Sequence, residues 1–195
     1  NYNELSENIK KQMRYPQYLF DIQAKVLTTY HNSDVDNIYR ADDRWEVAEV
    51  SGSGTRSSTS MYTLLKKGDE LKPAIITTYT PEKRKNIVSY LVGQTENGAN
   101  KLTMYRYNEK SELSLSFIDT QIEKDEKVQK EMRELTTLGT ELKTVRILLP
   151  YEDTTLYIKS IYQVFLNEDS VPVLKKVIVA NKGKVGIGNT LKEAM

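Results

Sequence analysis

Apolar residues in this chain follow two rhythms, a helical one at the start and an extended one from about residue 45. Leu5, Ile9 and Met13 recur every four residues and predict a first helix with one apolar stripe. Pro16 breaks that ladder, pushes Tyr15 toward extended backbone and opens a second helix as its first residue. Leu19, Ile22, Val26, Leu27 and Tyr30 stand at offsets 0, 3, 7, 8 and 11 and form the apolar face of that helix. Asp21 and Lys25 make an acid-before-base pair on another face. His31 and Asn32 end the helix, and Ser33 or Asp34 caps a short helical turn through Tyr39.

Extended patterns follow. Trp45-Glu46-Val47-Ala48 alternates as a strand does, whereas residues 51–60 hold no apolar side chain and read as an exposed loop. Met61 to Lys66 and Ala74 to Tyr79 flank Lys67-Gly68-Asp69-Glu70, a hairpin signal. Thr80-Pro81-Glu82 reads as the start of a short helix, with Thr as cap and Pro at the first position. Ile87 to Val92 turns strand-like again, Glu96-Asn97-Gly98 is a turn, and Leu102 to Tyr107 is a strand. Leu113, Leu115 and Phe117 alternate with serines and predict a further half-buried strand.

Residues 119–138 are rich in Glu and Lys, with Val128, Met132 and Leu135 on one helical stripe and Gly139 at the expected C-terminal position. Three strands are predicted next, Leu142 to Leu149, Thr154 to Phe165 and Leu174 to Ala180. Asn181-Lys182-Gly183-Lys184 reads as a two-residue hairpin into Val185, and Thr190-Leu191-Lys192-Glu193 as a capping box opening a last helix. Consecutive strands joined by short turns favour hairpins over crossovers. The expected fold is therefore α+β: a mainly antiparallel sheet, N-terminal helices and one charged mid-chain helix. Residues 1–195 carry no internal repeat and no clear boundary, so a single soluble domain is expected. The apolar stripes and alternating faces are expected to close a core internally.

Composition narrows the chemistry. The 195 residues include 28 Lys plus Arg and 27 Asp plus Glu, a formal net charge of +1. Such balance supplies no field for nucleic acid phosphates or anionic lipid, so neither is an expected partner. There is no Cys and one His, which excludes a disulfide framework, a thiolate zinc site, a cysteine nucleophile and a two-His metal site within the chain. No apolar run reaches the roughly 18 residues that span a bilayer, and no signal peptide is present. The chain begins at Asn1 and not at Met, which suggests that an upstream part has been removed.

Four groups carry the candidate chemistry. Asp34, Asp36, Asn37, Asp42 and Asp43 place oxygen ligands at near-alternating positions, as a calcium loop does. The glycine and distal Glu of an EF-hand are absent, so helix capping is the expected role and no metal is assigned. His31 at a helix end is a candidate general base, but no nucleophile motif accompanies it and a hydrogen-bonded structural His is expected. Gly183, Gly186 and Gly188 precede a helix start without phosphate-loop spacing, which favours turn and bulge roles. The 13 tyrosines outnumber the three Phe and suit either strand packing or stacking on a sugar or peptide.

A series of strings resembles the bacterial and archaeal uncharacterised protein family 0182. They are Met13-Arg14-Tyr15-Pro16, Leu19-Phe20, Gln23, Tyr30-His31, Ile38-Tyr39, Asp43 and Trp45-Glu46-Val47. Then come Thr80-Pro81, Arg84, Asn86, Gly139-Thr140-Glu141, Leu149-Pro150, Leu156-Tyr157-Ile158 and Tyr162. Last are Pro172, Leu174-Lys175-Lys176-Val177, Thr190-Leu191 and Glu193-Ala194, so the resemblance covers most of residues 11–195. Lys159-Ser160 departs from it, where the family pattern carries Glu-Pro. The resemblance implies a parent with several N-terminal transmembrane helices and a large hydrophilic region outside the cytoplasm, of which this chain is a later part. It implies no catalytic residue, cofactor or metal.

The expected function is thus a non-catalytic extracytoplasmic domain of a multi-pass cell-membrane protein, serving interaction or assembly. Its expected partners are the parent's transmembrane helices and other membrane or envelope proteins. The alternative is a cell-envelope saccharide-binding or hydrolytic domain using the acids at 34–43. A deep pocket gathering His31 with two or more of those acids would favour the alternative.

Overall fold

The computed structural model describes residues 2–32, 34–40, 43–48, 60–67, 69–82, 86–107, 115–151, 154–166 and 170–195. The chain divides into two compact units, Asn1–Ala48 with Ser58–Asn108, and Glu49–Ser57 with Glu109–Met195. Both are α+β, and among the described residues every strand pairing is antiparallel. Among the described residues no helix is long and apolar enough to cross a membrane.

The first unit begins with a 3-10 turn, Tyr2–Glu4, then α1 (Glu7–Gln12), α2 (Gln17–Tyr30) and α3 (Val35–Arg40). Its strands are β1 (Trp45–Val47), β2 (Met61–Lys67), β3 (Glu70–Pro81), β4 (Ser89–Glu96) and β5 (Ala99–Arg106). β3 is the spine: β4 pairs along one edge, while β2 and β1 share the other, β2 from Ile76 back to Glu70 and β1 from Tyr79 to Pro81. Pro81 therefore closes a strand and does not open a helix. The β1 pairing overrides the Thr-Pro-Glu signal, and residues 83–85 lie outside the described ones. Asn97 and Gly98 both take positive φ (50° and 79°), the geometry that a two-residue hairpin requires between β4 and β5.

Helix α2 packs on this sheet through Phe20 and Ala24, which join Tyr15, Ile75, Tyr79 and Leu91 in one core cluster with Leu27 at its margin. Gly93 makes the close approach feasible, since a Cβ there would sit 2.8 Å from Phe20 and 2.9 Å from Ile75. The Tyr79 hydroxyl donates to the Ala24 carbonyl at 2.9 Å, so this buried phenol is satisfied by the helix it supports. Pro16 is the N-cap of α2, one residue earlier than its predicted place.

The second unit holds α4 (Leu115–Lys124), α5 (Glu126–Leu135), the meander β6 (Thr140–Tyr151), β7 (Thr154–Phe165), β8 (Val173–Asn181) and β9 (Lys184–Gly188), and α6 (Leu191–Ala194). Lys182 and Gly183 take positive φ (47° and 79°) and form the predicted hairpin turn. Asp125 caps α5 by accepting the Val128 N–H at 3.0 Å, which splits the predicted charged helix in two. The expected strand at Leu115 and Phe117 is a helix instead, and Leu113 lies outside the described residues. Alternation over five residues is too short to outweigh Ile118 and Ile122, which are four apart and both buried. Gly139 has φ 77° but sits in the turn before β6, beyond the Thr136 cap of α5.

Candidate functional site

The sequence nominates His31 and the acids of 34–43, and the structure separates them by role. His31 is the C-cap residue of α2. Its side chain is fully covered, with Nδ1 3.1 Å from the Leu27 carbonyl and Nε2 3.2 Å from Asp43 Oδ2. The ring stacks on Trp45 with centroids 3.6 Å apart. Arg106 closes the group: its guanidinium lies 5.4 Å from the Trp45 ring centroid, and Nη2 donates to the His31 carbonyl at 2.8 Å. Both imidazole nitrogens thus face acceptors, an arrangement that ties α2 to the sheet.

Asp34 spends its oxygens locally. Oδ1 accepts the Asp36 and Asn37 N–H groups at 3.0 and 3.4 Å, and Oδ2 accepts the Asn37 side-chain amide at 3.1 Å. This is capping of α3, as expected from aspartates before a short helix. Asp36 is exposed in the first turn of α3. Asp42 and Ser33 lie outside the described residues. His31 therefore meets one of the nominated acids, Asp43. Among the described residues no group of three or more His, Cys, Asp or Glu side chains is placed to hold a metal ion.

The glycines have a packing role. A Cβ on Gly186 would stand 2.1 Å from the Ala194 carbonyl oxygen, and one on Gly188 would stand 2.5 Å from Glu193 Cβ, so both let α6 lie on β9. Thr190 caps α6 by accepting the Glu193 N–H at 3.2 Å, while Glu193 reaches back to the Asn189 N–H at 2.8 Å, one residue before the partner a capping box predicts. Of the tyrosines, Tyr90 and Tyr105 stack at 4.8 Å across β4 and β5, with Tyr107 5.7 Å from Tyr90. Burial, reinforced by Tyr105, raises the Tyr90 phenol above its ordinary range.

Two features of the structure were not legible in the sequence. The first is that the apolar face of α2 is turned outward. Tyr18, Leu19, Ile22, Val26 and Tyr30 are all exposed, Tyr18 by 80%, Val26 by 50% and Tyr30 by 63%. At 3.6 residues per turn they share an arc of about 120° with Thr29 and no charged residue. The predicted apolar face is thus mostly uncovered, and Leu27 is its one member packed against the core cluster. Phe20 and Ala24, outside the predicted set, face inward because Tyr15 and Gly93 form the receiving surface. The second is a charged group in the other unit. The Tyr157 hydroxyl donates to Asp119 Oδ1 at 2.8 Å, and Arg146 Nη1 stands 3.5 Å from Asp119 Oδ2. Arg146 is directly opposite Lys159 in the β6–β7 register. A period-two reading of both strands puts these residues on one face, and the pairing itself is what the sequence lacks.

The sequence pattern of the Uncharacterised protein family (UPF0182) matches residues 1–135. A UPF0182 protein of Microcystis aeruginosa is 28% identical over 98% of the chain and 20% of its own length. One of Clostridium tetani is 29% identical over 100% of the chain and 23% of its own length. One of Caldicellulosiruptor saccharolyticus is 27% identical over 98% of the chain and 22% of its own length. The chain therefore spans about a fifth of the curated relatives that it matches. No solved structure matches it. On the family pattern and these relatives, the chain belongs to the Uncharacterised protein family UPF0182.

Proposed function

We propose that this chain is an extracytoplasmic domain of a longer, multi-pass cell-membrane protein, and that it serves assembly through the outer face of α2. The observation that carries the reading is the uncharged apolar arc of Tyr18, Leu19, Ile22, Val26 and Tyr30. A helix that buries one face on a sheet normally presents charge on the other. Here Asp21 and Lys25 are confined to the flank, and the outward face is as apolar as the inward one. Contiguous exposed apolar surface marks an interaction site. The occupant proposed is an apolar surface from the rest of the same polypeptide, because about four fifths of each matched relative lies outside the match. The membrane setting and the side of the membrane rest on the family resemblance of the sequence.

The His31 group supports this reading over the envelope-hydrolase alternative. Its side chain is enclosed between Trp45, Leu27 and Asp43, and Asp34 is committed to backbone N–H groups. The test is a photo-crosslinking residue at Ile22 in the full-length membrane protein, with the crosslinked peptide identified by mass spectrometry. The proposal expects a peptide of the same polypeptide from outside this 195-residue region. Crosslinks to lipid alone, or to Ile22 of a second copy, would overturn it. Labelling of intact cells with a membrane-impermeant reagent at the exposed Tyr39 position tests the side: protection equal to that of a cytoplasmic control contradicts the placement.

A further inference from the structure

A cavity of about 230 Å³ lies within the second unit, between the α4–α5 pair and the sheet. Its walls are Ile122, Val128, Met132, Ile161 and Ile178. Three polar side chains interrupt them, Glu123, Gln129 and Lys159. Fixed contacts frame the space: Lys176 pairs with Glu131 at 2.7 Å, and the Gln163 amide donates to the Leu135 carbonyl at 2.9 Å, both joining α5 to the sheet. The space is half-open: its floor is buried at Ile122, Val128, Ile161 and Ile178, while Glu123 and Gln129 stand exposed at its rim, so a ligand can enter from solvent.

The charges around the space do not close on themselves. Arg146 and Lys159 face each other across β6 and β7. Asp119, which stands beside Arg146, also accepts the Tyr157 hydroxyl. Among the described residues Lys159 then has no hydrogen-bonded acid, and Arg146 Nε is buried without a partner. Burial, and secondarily Arg146, lower the Lys159 ammonium below its ordinary range, against the opposite pull of Asp119 and Glu123. Gln129 donates its side-chain amide to the Glu123 carbonyl at 2.8 Å, which leaves its side-chain oxygen as a further acceptor on a residue that lines the space with Glu123.

We propose that this cavity binds a small apolar α-amino acid as its zwitterion, the ligand carboxylate on Lys159 and the ligand ammonium on Glu123 and Gln129. Volume sets the size. A dry cavity of about 150 Å³ accepts benzene, so by that ratio the present one takes about nine non-hydrogen atoms, the number in leucine or isoleucine. Wall chemistry sets the side chain, since five aliphatic or thioether residues offer dispersion contacts and no hydrogen bond. Charge sets the head: a plain carboxylate would meet Lys159 but also the Glu123 carboxylate, whereas a zwitterion satisfies both. The site is in the second unit and does not depend on the α2 face.

The experiment is calorimetric titration of the 195-residue chain with L-leucine, 4-methylpentanoate and 3-methylbutylamine, the last two lacking the ammonium and the carboxylate respectively. Leucine is expected to bind with a dissociation constant between about 1 µM and about 1 mM, and each truncated analogue at least about tenfold more weakly. Lys159→Met and Glu123→Gln should each weaken leucine at least about tenfold. No heat with leucine up to about 10 mM, or 4-methylpentanoate binding as tightly as leucine, overturns the proposal. Because Lys159→Met could fail to fold, leucine-induced shifts are also mapped by NMR in the unsubstituted chain. Shifts must centre on Ile122, Val128, Ile161 and Ile178, and shifts centred elsewhere sink the site.

Discussion

The His31 ring lies flat on the indole of Trp45, their planes 15° apart and their centroids 3.6 Å apart. One ring ends a helix and the other begins a strand, so the contact joins α2 to β1 at the margin of the first unit's core. The sequence offered His31 as a candidate base, and its environment gives it a structural role: the ring is covered and both nitrogens are engaged.

This assignment predicts a large effect of His31→Ala and a small effect of Asp43→Asn on stability. Losing the stacked, covered ring should cost about 2 kcal/mol, combining packing and aromatic contact. Asp43 is half-exposed, and losing its contact with the His31 ring should cost less than about 1 kcal/mol. Urea unfolding followed by the sole tryptophan, Trp45, checks both. Equal losses for the two variants would argue that the His31–Asp43 pair, and not the stack, holds the helix.

Gly93→Ala is expected to destabilise the chain by about 1–3 kcal/mol through overpacking. The new methyl would meet Phe20 at 2.8 Å, Ile75 at 2.9 Å and Tyr15 at 3.0 Å, all of them core side chains with little room to retreat. A double variant with Phe20→Leu should recover part of the loss in thermal unfolding. Additive losses would show that the Phe20–Gly93 contact is not the source.

Alkaline pH should destabilise the fold in a defined window. Burial raises the Tyr79 and Tyr157 phenols well above the ordinary tyrosine value, with Asp119 adding to the shift at Tyr157. The unfolded chain loses these protons near pH 10 while the folded chain keeps them, so the stability they contribute is full below about pH 10 and declines above it. Each such group gives a slope of about 1.4 kcal/mol per pH unit. Urea midpoints measured from about pH 9 to about pH 11 should fall, and Tyr157→Phe should make the fall shallower. A flat profile, or one unchanged by Tyr157→Phe, contradicts the burial of these hydroxyls.

Much of the fold was legible because it is written in local geometry. Asn97-Gly98 and Lys182-Gly183 demand left-handed backbone, and the alternation on either side of each turn fixes the pairing. What sequence pattern misjudged depends on partners far along the chain. Thr80-Pro81 looks like a helix cap until β1 pairs with it. Leu115 and Phe117 look extended until Ile118 and Ile122 are seen to be buried together in α4. In α2 the periodicity located a real apolar face, but the face chosen for the core is set by the shape at Tyr15 and Gly93, not by hydrophobicity alone. The candidate site was legible only in its parts. Asp34 was expected to cap, and does so, whereas the stacking of His31 on Trp45 needs β1 beside the end of α2.

The outer face of α2, proposed here as an assembly surface, should be covered in the full-length protein. With no Cys in the chain, Ile22→Cys introduces one thiol on that face and Lys25→Cys one on the charged flank. Both positions are exposed, so in the isolated chain both variants should cost within about 0.5 kcal/mol and react readily with a maleimide. In the full-length protein, with any other cysteines replaced, Ile22→Cys should react at least about tenfold more slowly than in the isolated chain, a protection of about 1.4 kcal/mol. Lys25→Cys should react at an unchanged rate. Equal reactivity of Ile22→Cys in the two settings would mean that nothing covers the α2 face.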